Sequence, residues 1–339
     1  MSGKSWRIAE MGPGGQLEEE VLAGTDGWLF LVGGTNQVAN AYLDENGEFD
    51  GIIAQWAQRL KARREAANAI GARYCHLIAP EKLSIYGDRI EVLKLARNNG
   101  LGARLSRAAA TSGIEEVVAN PTNYMERMKN DYLLYWKTDT HWTFHGCLCA
   151  YQILCGKLGI KPSIEIGSAR YQTGTITLDL GAKMDPPITE LFTLADFVRK
   201  ARLVSSNALV NYKVKHDREN DAGLHVGSNV VYVNFSDTAV PRKVVLFGDS
   251  FAEYRPHLLT GMLAETFAEV HFVWSTSIDW TYVNRVKPDI LLTEATERFL
   301  TRVPDDRFAV VDSVRRKPWI RRIFSGSDSD FSAMRSPDG

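Results

Sequence analysis

Apolar positions along this chain alternate between two periods. From Ile52 to Ile70 they recur at Ile52, Ile53, Trp56, Leu60, Ala67 and Ile70, the spacing of one helix face, and Gly71 ends the run. Tyr74–Ala79 then reads as a short buried strand stopped by Pro80. Residues 92–112 read as helical with a glycine break at 100–102, Ile114–Val118 as a strand, and Tyr124–Lys129 as a short helix. Thr143 can cap a helix over 144–158 that Gly159 closes. Near the start, Gly24–Leu31 reads as a turn feeding a short strand.

Between 165 and 240 the pattern becomes strand-rich with polar loops. Tyr171–Leu178, Leu209–Val214 and Val230–Phe235 all alternate, which predicts an antiparallel insertion beside the main sheet. Helix and strand then resume: strand 243–247, helix near 256–267 with Pro256 in its first turn, strand 270–274, helix 278–286 and strand 289–293. The expected fold class is α/β, a mostly parallel sheet flanked by helices with an antiparallel β-rich insertion. The expected organisation is a loose arm over 1–19, a catalytic domain over 20–310 holding the insertion at 165–240, and a basic, partly disordered tail over 311–339.

Hydrophobic residues make up 45% of the 339, enough for a sizeable core, and no apolar run is long enough to cross a membrane. A net charge of -1 gives no global pull toward nucleic acid or anionic lipid. In the tail, Arg315, Arg316, Lys317, Arg321 and Arg322 surround Trp319, Ile320 and Phe324. That pattern reads as a solvated helix, with a membrane-surface helix as the other reading. The first residues lack the apolar core of a secretory leader, so the sequence as written is expected in the cytoplasm. Cys75, Cys147, Cys149 and Cys155 lack a Cys-x-x-Cys spacing and read as buried reduced thiols.

The candidate chemistry lies in two segments. Lys137–Trp142 carries Asp139 and His141, two residues apart; in extended chain they would share a face roughly 6–7 Å apart. Val244–Phe251 carries Ser250 just past an apolar strand, on a Gly248-Asp249-Ser250 turn. Ligands in parallel sheets bind outside the carboxyl ends of the strands, which is where Ser250 falls. A serine needs a base within hydrogen-bond reach, and that base needs a partner to fix its tautomer. The Ser250 N–H is positioned to donate to an oxyanion. The Gly-x-Ser-x-Gly elbow is absent. Asp139, His141 and His145 could also imitate a metal triad, but no glutamate follows His141 as a metalloprotease requires.

Several blocks occur in a telling order: Gly24–Phe30, Ala79–Lys82 with Ser84–Tyr86, Thr138–Trp142, Phe247–Phe251, and Lys287–Asp289 through Glu297–Arg298. Together they resemble the SGNH-hydrolase-like domain of the bacterial alginate O-acetyltransferase family. The resemblance implies Ser250 as nucleophile, His141 as base and Asp139 as its orienter. It implies weaker substrate or oxyanion roles for Arg298, Tyr254, Lys82 and Tyr86, and neither cofactor nor metal. It also implies a glycan acceptor, an acetyl donor passed on by a membrane acyltransferase, and a periplasmic setting. Carbohydrate acetylesterase activity, and glycan binding without turnover through Trp136, Trp142, Trp274 or Trp280, are the alternative readings.

Overall fold

The computed structural model describes residues 20–163, 170–196, 199–255 and 257–314. The expected arm over 1–19, Pro256 and the basic tail beyond 314 lie outside the described residues.

A short antiparallel pair, β1 (Val21–Ala23) with β2 (Leu29–Leu31), opens the described chain and is followed by α1 (Val38–Leu43). Next come α2 (Asp50–Ala69), β3 (Arg73–Ala79), α3 (Lys82–Tyr86), α4 (Leu101–Thr111), β4 (Val118–Ala119), α5 (Thr122–Met128) and α6 (Phe144–Leu158). The middle of the chain supplies β5 (Arg170–Thr177), β6 (Thr189–Asp196), β7 (Ala201–Ser206), α7 (Ala208–Lys215) and β8 (Asn229–Asn234). Last are β9 (Val240–Gly248), α8 (Leu259–Thr266), β10 (Phe267–Trp274), α9 (Trp280–Val286), β11 (Ile290–Thr296) and α10 (Val310–Val314).

The central sheet has seven strands in the order β4-β3-β11-β9-β10-β8-β7. The run from β4 to β10 is parallel, while β8 and β7 add antiparallel at one edge. Alternation along the strands sends successive side chains to opposite faces. His76 of β3 meets Trp56 of α2, and its Nδ1 lies 2.8 Å from Thr293 Oγ1 of β11. The next residue along β11, Glu294, faces the other way, where its carboxylate acts on the Cys147 thiol of α6. Helices α2 and α4 therefore cover one face, and α6 and α8 the other.

Two features make α6 legible. The Thr143 hydroxyl accepts from Gly146 N at 3.3 Å, and Gly159 ends the helix with φ 63°. The alternation at Leu209–Val214 belongs to a helix, α7, and not to a strand. Asn207 Oδ1 caps it at Val210 N (3.1 Å), and the buried Leu209, Val210, Tyr212 and Lys213 share a helical face. The expected strand at Ile114–Val118 is mostly a 3-10 turn over Glu115–Val117, with pairing only at β4. Within 92–112, only Leu101–Thr111 is α-helical. The β-rich middle segment divides: β5 and β6 form a separate hairpin, while β7 and β8 join the central sheet.

Candidate active site

The carboxyl end of β9 runs into Gly248-Asp249-Ser250, and Asp249 builds the turn. Its Oδ1 accepts from Phe251 N (2.9 Å), and its Oδ2 accepts from the Thr296 amide (2.9 Å) and hydroxyl (2.8 Å) at the end of β11. Glu294 Oε2 accepts from Asp249 N at 2.9 Å. Burial and the Asp249 charge push the Glu294 carboxyl well above its usual range. Asp249 thus pins the bend to the neighbouring strand β11 through both its amide and its carboxylate. A Cβ on Gly248 would come within 2.8 Å of Ala252 Cβ and 2.9 Å of Glu294 Oε2, so the turn requires glycine.

Residues 135–142 form a tight loop and not an extended strand. A bridge pairs Tyr135 with Trp142, and Thr143 N donates to Leu134 O at 2.9 Å. The bend turns Asp139 back onto its neighbour. Asp139 Oδ1 accepts from both His141 N (2.7 Å) and His141 Nδ1 (2.6 Å). A carboxylate offers only acceptors, so Nδ1 carries the proton and Nε2 of the neutral ring accepts. Nε2 lies 2.9 Å from Ser250 Oγ. The three expected groups therefore stand in one line. Phe251, fully buried after Ser250, supports the imidazole with ring centroids 5.0 Å apart.

Electrostatics favour a strong base. Burial pulls the His141 pKa down, but the Asp139 carboxylate and its hydrogen bond outweigh that, with help from Asp179, and leave it raised. Burial pushes Asp139 up, yet His141 and the Lys82 charge hold it below the usual carboxylate range. His225 and His257 also line the cleft. Burial and nearby cations lower each to about 4, so both stay neutral near pH 7.

The cleft has a volume of about 480 Å³. Trp136, stacked on Phe192 of β6 with centroids 4.7 Å apart, lies along it, as does Trp274, stacked on His225 at 4.0 Å. Trp142 borders the cleft but is 98% buried, edge-on to Phe251, and Trp280 packs against the core. The Ser250 N–H has no acceptor among the described residues.

The other expected contacts lie behind the cleft. Arg298 Nε donates to Glu81 Oε1 at 2.5 Å, and its guanidinium sits 5.7 Å over the Phe251 ring. Lys82 Nζ donates to the carbonyls of Leu29 (2.8 Å), Trp136 (2.8 Å) and Lys137 (3.0 Å). Tyr86 stacks on Trp28 at 4.1 Å, and its hydroxyl accepts from Leu134 N. The buried Tyr254 carbonyl accepts from Tyr232 OH, and Lys213 sits over its ring. His145 packs between Tyr132 and Tyr171, away from His141. In its place Asp179 comes near, so that Asp139, His141 and Asp179 offer one atom each within 4.8 Å of one another. Those atoms are engaged by N–H and O–H donors of the loop itself. The four cysteines are buried free thiols, and burial raises the pKa of each.

Sequence reading did not find Asp179, Glu253 or Arg255 on the cleft. Glu253 and Arg255 follow Ser250 closely enough to have been suspected. Asp179 had no local signal, because only the landing point of the β5–β6 hairpin brings it to His141.

A parallel sheet with a serine, histidine and aspartate aligned outside its carboxyl edge defines an SGNH-hydrolase-like α/β protein. A family model described as "SGNH hydrolase-like domain, acetyltransferase AlgX" matches residues 21–279, and the chain belongs to that family. Among solved structures it is similar to the O-acetyltransferase domain of Pseudomonas putida AlgJ, at 16% identity and TM-score 0.55, over 90% of this chain and 99% of that one. It is also similar to Bacillus cereus PatB1 with a sulfonyl adduct, at 14% identity and TM-score 0.53, over 84% and 96%. Pseudomonas aeruginosa AlgX shares 13% identity and TM-score 0.50, over 86% of this chain and 65% of that one. At these identities the likeness to solved structures is one of fold. No curated protein matches the chain. No described helix is long and apolar enough to cross a membrane.

Proposed function

We propose that this chain is a serine-dependent O-acetyltransferase that moves an acetyl group from an ester donor to a carbohydrate hydroxyl. The observation that carries this reading is His141, bonded to Asp139 Oδ1 at 2.6 Å and to Ser250 Oγ at 2.9 Å. Ser250 Oγ attacks the acetyl carbonyl as Nε2 takes its proton, with the imidazolium held by Asp139. The Ser250 N–H donates to the oxyanion. The imidazolium returns the proton to the leaving alkoxide, which leaves acetyl-Ser250. A sugar hydroxyl then gives its proton to Nε2 and attacks the acyl carbon, which restores the serine.

Family membership supports acetyl transfer, and half-buried Phe192 gives the cleft an aromatic wall against which a sugar ring can pack. Hydrolysis competes, because the His141 side chain is 36% exposed and water can reach it.

The test is turnover of an activated acetyl ester with and without an oligosaccharide. The reading predicts acetylated oligosaccharide with the wild type and none with Ser250→Ala. Acetate release unaffected by any oligosaccharide would reassign the protein as an esterase.

A further inference from the structure

We propose that the β5–β6 hairpin is a clasp on the catalytic loop, with Asp179 and Glu190 as positioning residues and Asp179 acting as a second anion behind His141. This extends the serine-transferase reading and rests on it for the role of His141.

The geometry is one of backbone capture. Glu190 Oε2 accepts from Lys137 N, and its Oε1 accepts from both the amide and the hydroxyl of Thr138, all at 3.0 Å. Asp179 Oδ1 accepts from Thr140 N at 2.8 Å, and Oδ2 accepts from Thr140 Oγ1 at 2.5 Å. In return, Thr138 O accepts from Leu180 N (3.0 Å) and Gly181 N (2.9 Å). The residues flanking Asp139 on both sides are thus held from the hairpin. Lys82 holds the same loop from beneath through Trp136 O and Lys137 O. Without these contacts the Asp139-His141 turn would keep only the Tyr135–Trp142 bridge, its own His141 N to Asp139 Oδ1 bond and backbone bonds at its ends such as Leu29 N to Lys137 O (2.9 Å).

Asp179 Oδ2 also lies 3.9 Å from His141 Nδ1, a distance at which an anion favours the imidazolium. The other charged or titratable groups acting on His141 or its partner are Asp139, Arg298, Glu253, Lys82 and His225. Of these, Arg298 opposes the effect on His141, and Lys82 acts on Asp139. Asp179 reaches the ring from the hairpin side, and Lys82 and Arg298 also interact with its charge.

Asp179→Asn separates charge from position, since the amide can still meet Thr140 N and Oγ1. The readout is the His141 titration followed by NMR in the full chain, assigned by its loss in His141→Gln, together with the pH profile of ester turnover. The His141 pKa and the acidic limb of kcat/KM are expected to move to lower pH in Asp179→Asn. Glu190→Ala, which removes loop contacts and leaves the Asp179 charge beside His141, is expected to lower kcat about tenfold or more while leaving the limb in place. An unmoved His141 titration in Asp179→Asn, or full activity in Glu190→Ala, would overturn the clasp. The NMR titration needs no turnover, so a silent acyl-transfer assay would count against the proposed function and not against this inference.

Discussion

Lys82 Nζ lies 2.8 Å from the carbonyl oxygen of Trp136, a buried ammonium pinned to the loop that carries Asp139 and His141. Burial pulls its pKa down to about 7, against the opposing pull of Asp139, Asp179, Glu190 and Glu81. An unfolded lysine titrates near its ordinary value of about 10.4. Between these values the unfolded chain binds more protons than the folded one, so Lys82 makes stability rise with pH over that window. Lys82→Met should remove this contribution. The check is thermal melting of wild type and variant from pH 6 to 10: their difference in Tm should change across the window, and a constant difference would refute the assignment.

Gly248→Ala is expected to spare the fold and damage the site. The added Cβ must displace Ala252 or Glu294, and either movement shifts Ser250 against His141 Nε2. A misplacement on the order of 1 Å costs up to about 100-fold in rate. Ester turnover should fall by that order, with the far-ultraviolet circular dichroism unchanged.

The connection between β5 and β6 makes a similar demand at Gly181. A Cβ there would lie 2.3 Å from the Ile188 carbonyl oxygen and 3.3 Å from Thr138 Cβ. Gly181→Ala should therefore loosen the Thr138 contacts and lower kcat more than it raises KM. Steady-state kinetics that show only a KM effect would argue that the hairpin contacts substrate without holding the loop.

Stability away from the cleft rests in part on a buried ion pair. Arg63 Nε and Nη2 meet Asp306 Oδ2 and Oδ1 at 2.8 and 2.7 Å, and Asp306 also accepts from Ile278 N. Arg63→Ala leaves that carboxylate buried without its main partner, which costs about 3–5 kcal/mol. Urea unfolding should show a loss of that size.

The parallel core was legible because its signals are local. An apolar run ended by Pro80 marks β3, and the cap at Thr143 and the stop at Gly159 bound α6. Leu209–Val214 was misread because so short an alternation fits either period, and the deciding residue is the Asn207 cap outside it. Edge strand β7 was missed because its large apolar residues, Leu203 and Val204, are adjacent and exposed, so it carries no alternation. Asp139, His141 and Ser250 were legible as chemical types, but their contacts depend on a loop bend and on a strand end 109 residues from His141. Arg298 and Lys82 show the converse: polar residues in telling blocks whose side chains hold the scaffold behind the cleft.

The most direct measurement is acid quenching of the protein during turnover of an activated acetyl ester, followed by peptide mapping. The account predicts an acetyl group on the peptide containing Ser250, absent in Ser250→Ala and scarce in His141→Gln. Sustained turnover with no acetyl at Ser250, or turnover retained in Ser250→Ala, would contradict it.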